Sequence, residues 1–213
     1  MQDKIKIVLI VAVFVVIIAA GFLLSNGTII RISTVKPTIS GQFVQDPDFN
    51  TFPSETIWYD GGDRDYLSNA IWYNQSIDGR NYLLLLHPKS ETEIVFIEQN
   101  LILPVGKNYH LNIGLANVQG KAKAYREAIP NSIEIASCCA DNGFRIKIIS
   151  NGNSDTIADL IVKAKDGWKD FSYDISKYAG QNITIRIESY YGGTCNSLKW
   201  AWGAVDYVDI TSS

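Results

Sequence analysis

The residues with acid–base capacity in this chain do not form a recognisable catalytic set. Glycoside hydrolysis needs two positioned carboxylates, and the glutamates available for it are Glu93, Glu98, Glu134 and Glu188. Glu93 and Glu98 are separated by an odd offset on one predicted strand, so they point to opposite faces. The sequence contains no Gly-x-Ser-x-Gly, no His-Glu-x-x-His, no phosphate-binding loop and no dinucleotide-binding glycine fingerprint. We therefore expect a protein without enzymatic activity.

Aromatic residues offer a different chemistry, because the C–H faces of sugars stack on exposed rings. The chain has five Trp and eleven Tyr, several of them in adjacent pairs, and adjacent residues on a strand point to opposite faces. Such rings either pack in the core or form a sugar-binding surface. The predicted ligand-contacting residues are Trp58, Trp72, Tyr190, Tyr191 and Trp200.

Three cysteines leave one thiol over if a disulfide forms. A bridge from Cys138 or Cys139 to Cys195 closes a long loop, which favours it by about 4 kcal/mol in the chain-entropy model. A strained bridge between Cys138 and Cys139 is the alternative. The acidic cluster of Asp60, Asp63 and Asp65 is either a metal site or, as its spacing favours, an Asp-rich turn.

The N-terminal segment predicts a membrane location. Residues 7–24 are an apolar run of 18 residues, and a helix of that length spans about 27 Å, close to the hydrocarbon thickness of a bilayer. The run is longer than the core of a secretory signal, which favours an uncleaved signal-anchor over a cleaved signal peptide. Lys4 and Lys6 precede it, so the positive-inside rule places the N-terminus in the cytoplasm and the remainder outside.

An extracytoplasmic location permits N-glycosylation, and three sequons occur at Asn26, Asn74 and Asn182. Asn26 lies close to the predicted membrane surface, so the candidate sites are Asn74 and Asn182. Basic and acidic residues number 19 and 22, with no basic run. Nucleic acid is therefore not an expected partner.

The elements that must position these residues are short strands. Alternation of apolar and polar residues, as in Ile183, Ile185 and Ile187 against Thr184 and Arg186, predicts strands with one buried face. Residues 120–129 read instead as a short helix ended by Pro130. The predicted strands are Gln42–Val44, Thr56–Tyr59, Ala70–Tyr73, Tyr82–His87, Glu93–Gln99, Tyr109–Ala116, Phe144–Ser150, Thr156–Ala164, Lys169–Asp174, Ile183–Ser189 and Gly203–Ile210.

Three stretches resemble the galactose-binding-like jelly rolls, the β-sandwiches used as carbohydrate-binding modules. Residues 167–210 resemble the C-terminal third of that fold, with a Tyr-Ala-Gly turn at Gly180. Residues 101–109 are similar to its Leu-x-Leu-Pro-x-Gly-x-x-Tyr hairpin, and Asp46-Pro47-Asp48-Phe49-Asn50 is similar to its opening Asn-Pro-x-Phe-Glu. The resemblance covers about residues 41–213.

The resemblance implies several properties of the chain. It implies an antiparallel jelly-roll β-sandwich that binds and does not catalyse, with Trp168 and Trp202 in its core. It also implies one structural calcium ion held by Asp206 and the residue at position 50, which is Asn50 here instead of the family's Glu.

Together these observations predict residues 1–24 as a cytoplasmic tip and membrane anchor, 25–40 as a stalk and 41–213 as an all-β ectodomain. The predicted function is an extracytoplasmic module that recognises carbohydrate or a cell-surface polymer. The alternative is a structural or adhesion domain of the cell envelope without a sugar site.

Overall fold

The computed structural model describes residues 29–32, 43–50, 58–62, 70–73, 76–81, 83–88, 90–118, 140–193 and 202–213. These residues contain eleven β-strands and two short 3-10 turns, at 164–166 and 176–178. The strands are β1 Ile29–Ile32, β2 Tyr59–Gly62, β3 Ala70–Tyr73, β4 Leu83–Leu86, β5 Ile94–Ile102, β6 Tyr109–Asn117, β7 Asn142–Ser150, β8 Asn153–Val162, β9 Lys169–Asp174, β10 Asn182–Tyr191 and β11 Gly203–Ser212.

The strands form two antiparallel sheets. One sheet has six strands in the order β1-β9-β6-β11-β4-β3, and the other has five in the order β2-β5-β10-β7-β8. Strands distant in sequence lie side by side, as where Ile187 on β10 aligns with Ile97 on β5 and Ile146 on β7. The predicted all-β antiparallel sandwich is confirmed.

Alternating residues from both sheets meet in one central core. On β10 the buried members are Ile183, Ile185 and Ile187, and their neighbours Thr184 and Arg186 are only half-buried. The same alternation holds on β7, where Arg145 and Lys147 separate the buried apolar residues. The period of two in the sequence therefore identified which side chains face the interior.

A second, smaller apolar cluster lies on the other side of the six-stranded sheet. Leu84 and Leu86 of β4 belong to the central core, whereas Leu83 and Leu85 belong to this second cluster. Both faces of β4 are therefore covered. The cover comes in part from the turn at 77–80, whose Ile77 carbonyl accepts a 2.9 Å hydrogen bond from the Trp168 indole.

Most strand predictions agree with the structure to within a few residues, and two do not. The predicted stalk contains β1, which pairs with β9 from Ile29–Ser172 to Ile32–Lys169. Residues 43 and 44 were predicted as strand but form a bend, since Val44 packs into the core without a ladder partner. The turn at Gly180 is confirmed, with a φ of 81° directly after the 176–178 turn.

Several predicted features fall outside the described residues: the apolar segment 7–24, the helix at 120–129, the cysteines Cys138, Cys139 and Cys195, and the sequons at Asn26 and Asn74. Within the described ranges, no helix has the length and apolar character needed to cross a membrane. The anchor, the disulfide and the glycosylation sites stay predictions.

Candidate functional site

The surface of the five-stranded sheet that faces away from the core carries a cluster of aromatic and charged side chains. We call it the outer face. Its side chains alternate with core residues on adjacent strands, which is why the sequence brings them together. They are Tyr59, Phe96, Glu98, Arg145, Lys147, Asp159, Arg186, Glu188 and Tyr190.

A network of ion pairs crosses the outer face. The Glu188 carboxylate accepts hydrogen bonds from Lys147 Nζ at 2.6 Å and from an Arg145 terminal nitrogen at 3.3 Å. Burial lowers the pKa of Arg145, but the hydrogen bond to Asp159 and the charges of Asp159 and Glu188 raise it above its ordinary value. Arg186 donates to Glu98 at 2.6 Å. Each of the three cations therefore has a carboxylate partner.

Tyr190 lies near the C-terminal end of β10 on this face, between a glycine and an arginine. Its ring covers Gly143, where a Cβ would fall 2.2 Å from the ring atoms, and the Arg145 guanidinium lies 5.1 Å from the ring centroid. Its hydroxyl donates to Asp159. Burial, with the hydrogen bond to Asp159, raises the pKa of Tyr190 to about 12.

Phe96 is arranged in the same way on β5. The ring lies over Gly61, where a Cβ would be 2.5 Å from it, and the Arg186 guanidinium carbon lies 4.1 Å from its centroid. Tyr59 lies beside it, with ring centroids 6.2 Å apart. Tyr59 is 62% exposed, so its ring is the open aromatic surface of the outer face.

A groove of about 450 Å³ lies at the end of the same sheet that contains the β7–β8 turn. It is lined by Asn100, Asn182 and Thr184, by the turn residues Asn151 and Gly152, and by aliphatic side chains of Ile102 and Ile149. Asn151 and Gly152 both have positive φ, as a two-residue hairpin turn requires. The groove thus combines amides and aliphatic surface and has no charged lining residue.

The outer face is suited to binding polar, uncharged groups. Amide and guanidinium groups hydrogen-bond to hydroxyl pairs, and Tyr59 offers a ring to stack on. The carboxylates Glu98 and Glu188 are both paired with cations of the same face.

The predicted ligand residues divide between surface and core. Tyr190 lies on the outer face, and Tyr191 is half-buried at the end of β10. The prediction for Trp58 as an open ring is wrong: it is 4% exposed, packs 5.5 Å from Phe49 and donates its indole N–H to the Asp46 carbonyl at 3.2 Å. The Trp72 side chain and all of Trp200 lie outside the described residues.

Trp168 and Trp202 are buried, as the resemblance implied. Asn182 is exposed at the start of β10. Asp60 Oδ2 accepts a 3.3 Å hydrogen bond from the Ala70 backbone, and Asp63 and Asp65 are outside the described residues.

The residues around Asp206 do not fit the calcium site that the resemblance implied. Asp206 is completely buried and accepts a 3.0 Å hydrogen bond from Arg80, which also binds Asp170 through two nitrogens. Asn50, the other predicted ligand, is exposed. In the described ranges there is no group of three or more His, Cys, Asp or Glu placed to hold a metal. The positive charge next to Asp206 is supplied by the Arg80 guanidinium.

Sequence reasoning missed the residues that give the outer face its character. Alternation placed Arg186 on a solvent-facing side, and the same period applies to Arg145 and Lys147. It did not pair them with Glu188, Asp159 and Glu98, because these pairs depend on strand register between distant segments. The sequence signal for this cluster is a charged residue at every second position, at Arg145 and Lys147 on β7 and at Arg186 and Glu188 on β10.

No protein-family model matches the sequence, and no curated protein matches it. Among solved structures, TmCBM61 in complex with β-1,4-galactotriose is 15% identical and aligns over 82% of this chain and 100% of its own, with a TM-score of 0.54. The K3 cleaved adhesin domain of Lys-gingipain from Porphyromonas gingivalis is 14% identical over 79% of this chain and 99% of its own, with a TM-score of 0.50. The chain therefore has the jelly-roll β-sandwich fold of carbohydrate-binding modules.

Proposed function

We propose that this protein is a membrane-anchored extracytoplasmic module that binds carbohydrate, or another neutral cell-surface polymer, through the outer face. The fold supports the proposal, since the similar TmCBM61 was solved in complex with a galactose trisaccharide. The outer face supports it independently by its side chains. We expect binding without cleavage of the polymer.

The observation that carries the proposal is the exposure of Tyr59 on the same face as an amide-lined groove. A tyrosine with 62% of its surface in water lies on a sheet that otherwise presents charged and polar groups. The groove supplies donors and acceptors from Asn100, Asn182 and Thr184. Ring and amides together match the apolar faces and the hydroxyls of a sugar.

The expected ligand is uncharged. The three cations of the outer face, Arg145, Lys147 and Arg186, are each paired with a carboxylate of the same face. An acidic sugar would therefore have to compete with these carboxylates. A neutral polysaccharide meets this face without breaking ion pairs.

Membrane anchoring and the extracytoplasmic location rest on the apolar run 7–24 and the lysines before it. With the N-terminus in the cytoplasm, the sandwich is displayed on the outer side of the membrane. A binding module held there has access to polymers of the cell surface.

The test is binding of the full chain in nanodiscs to an array of neutral polysaccharides, including β-1,4-galactan, xylan and mixed-linkage β-glucan. Tyr59→Ala is expected to weaken binding about tenfold, or about 1.4 kcal/mol, the loss expected for a central aromatic contact. Thr211→Ala, an exposed change on the other sheet, is the matched control and should leave the affinity unchanged. Equal affinity of the Tyr59→Ala variant would remove the outer face from the proposal.

A structural or adhesion role without a sugar site is the second candidate. Its supporting observation is that Phe96 and Tyr190 are each covered by an arginine, so that neither ring is open for stacking. The array separates the two functions: no binding to any polysaccharide, with the protein folded, favours the adhesion role. Release of reducing ends during incubation would contradict both.

A further inference from the structure

The two most exposed aliphatic side chains in the described residues lie at one end of the sandwich. Val105 is 79% exposed and Ile102 is 68% exposed, and both belong to the connection from the end of β5 to the start of β6. We call this end of the sandwich, with residues 102–108 and the turn at 176–181, the lower end. A large aliphatic side chain held almost fully in water on a folded surface indicates a contact with another apolar phase.

The β5–β6 connection is held firmly in this position. Tyr109 donates its hydroxyl to the Pro104 carbonyl at 2.9 Å, and the Gly180 amide donates to the Leu103 carbonyl at 2.8 Å. The Val105 side chain rests over Gly180, where a Cβ would lie 2.6 Å from Val105 Cγ1. Val105 is thus exposed because the backbone fixes it there.

The topology places the lower end next to the predicted anchor. β1 and β6 both pair antiparallel with β9, so they run in the same direction, and Ile29 lies level with Asn112. β6 begins with Tyr109 at the lower end. The chain therefore also enters β1 from the lower end. Only residues 25–28 separate Ile29 from the apolar run that ends at Leu24, and five residue steps reach at most about 18 Å. A strand of nine residues is about 30 Å long, so the upper end is too far away to face the same surface.

The charge at this end also suits a lipid surface. Lys107 is exposed beside Val105, and its Nζ reaches the Ser212 hydroxyl at 3.4 Å. The described residues give Lys107 no carboxylate partner. The exposed carboxylates of Asp155 and Asp174 accept hydrogen bonds from Lys177 and Tyr178 and from the Ser176 backbone. A lysine next to an exposed aliphatic side chain can reach the headgroup phosphates with its ammonium group while its stem lies on apolar surface.

We propose that the lower end of the sandwich rests on the lipid bilayer that holds the anchor, with Val105 in the interfacial layer and Lys107 among the headgroup phosphates, while Ile102 lines the groove above the lipid. The inference rests on the anchoring part of the proposed function and not on sugar binding. It adds a defined orientation: the strands stand along the membrane normal, and the outer face stands upright with Tyr59 open to the side.

The experiment uses the full chain in nanodiscs of phosphatidylcholine with phosphatidylserine. A photoreactive diazirine amino acid replaces Val105 in one variant and Lys165, an exposed residue at the upper end, in the control. After illumination, lipid adducts are identified by mass spectrometry. We expect lipid adducts at position 105 and none at position 165. A Lys107→Glu change in the first variant should reduce the adduct yield, and replacing phosphatidylserine by phosphatidylcholine should do the same.

Two further outcomes overturn the inference. Adducts at neither position, or equally at both, show that the lower end has no preferred contact with the bilayer, and adducts to a second copy of the chain show a protein contact instead. Alkaline extraction of the full chain reconstituted in vesicles of the same lipids tests the anchor separately: loss of the chain into the wash rejects the anchor and this orientation together. Tyr59→Ala, which tests sugar binding on the same sample, is expected to leave the lipid adducts at position 105 unchanged.

Discussion

Arg80 and Asp206 are separated by 126 positions in sequence, and the guanidinium donates to the carboxylate at 3.0 Å with both side chains completely buried. The same guanidinium binds both oxygens of Asp170 and lies 4.9 Å from the centre of the Trp168 ring. It therefore ties the turn at 77–80 to β9 and β11. Burial lowers the pKa of Arg80, but the hydrogen bonds and charges of Asp170 and Asp206 raise it above its ordinary value.

Arg80→Met is expected to lower the free energy of unfolding by about 3–5 kcal/mol, because it leaves two buried carboxylates without their cation. Urea denaturation at neutral pH measures it. Lys177→Met is the matched control: it removes a cation from the exposed pair with Asp155 and should have a much smaller effect. Equal effects of the two changes would show that burial of the Arg80 cluster contributes nothing.

Calcium is expected to have no effect on stability, because Arg80 already supplies the positive charge beside Asp206. Thermal unfolding with excess calcium and with a chelator should give the same Tm. A Tm that rises with calcium, and that no longer does so in Asn50→Ala, would restore the predicted site and contradict the ion-pair explanation.

Gly143→Ala is expected to displace the Tyr190 ring, since the new methyl group would lie 2.2 Å from ring atoms. Overpacking of this kind costs about 1–3 kcal/mol. In a Tyr190→Ala background the same change should cost far less, and the difference between the two measurements gives the coupling energy. Additive effects would mean that the ring is not held against Gly143 in solution.

The strands and the central core could be predicted because each depends on local alternation. Ile183, Ile185 and Ile187 point inward as their period of two predicted. β1 could not be found in this way: its four residues, Ile-Ile-Arg-Ile, are too few to establish a period, and they form a strand by pairing with β9. Tertiary pairing decided that element.

The polar character of the outer face could be predicted from the sequence, but the contacts among its side chains could not. Alternation placed Arg186 on a polar side, yet its position over Phe96 depends on the register between β5 and β10 and on the absence of a side chain at Gly61. Trp58 illustrates the same limit. A tryptophan next to a tyrosine must split between two faces, and which ring is buried depends on Phe49, in a loop nine residues earlier.

Stability is expected to fall between pH 10 and 12, in part because of Tyr190. Its pKa of about 12 in the folded protein exceeds the ordinary value of about 10, so the folded state keeps a proton that the unfolded state has lost. The contribution is complete below pH 10 and disappears as the pH rises through 12. Burial also raises the pKa values of Tyr173 and Tyr207, so part of the decline has other origins.

Tyr190→Phe removes the Tyr190 contribution, and its unfolding free energy should therefore decline less steeply than that of the unchanged protein over this interval. Urea denaturation at pH 8, 10 and 11.5 provides the comparison. Parallel curves for the two proteins would show that the hydroxyl is not held by Asp159.

Binding of a neutral polysaccharide by the outer face should be insensitive to salt. The Debye length falls to about 3 Å at 1 M salt, but ion pairs within the face leave no net attraction to screen. Glu188→Gln breaks this balance, because Arg145 and Lys147 lose the carboxylate that they share. We expect this variant to gain affinity for an acidic polysaccharide such as polygalacturonate, and to lose it again at 1 M salt. Glu91→Gln, an exposed change before β5, is the control and should gain none. Binding of polygalacturonate by the unchanged protein, weakened by salt, would show that the face is built for an acidic ligand and would contradict the charge argument made from its ion pairs.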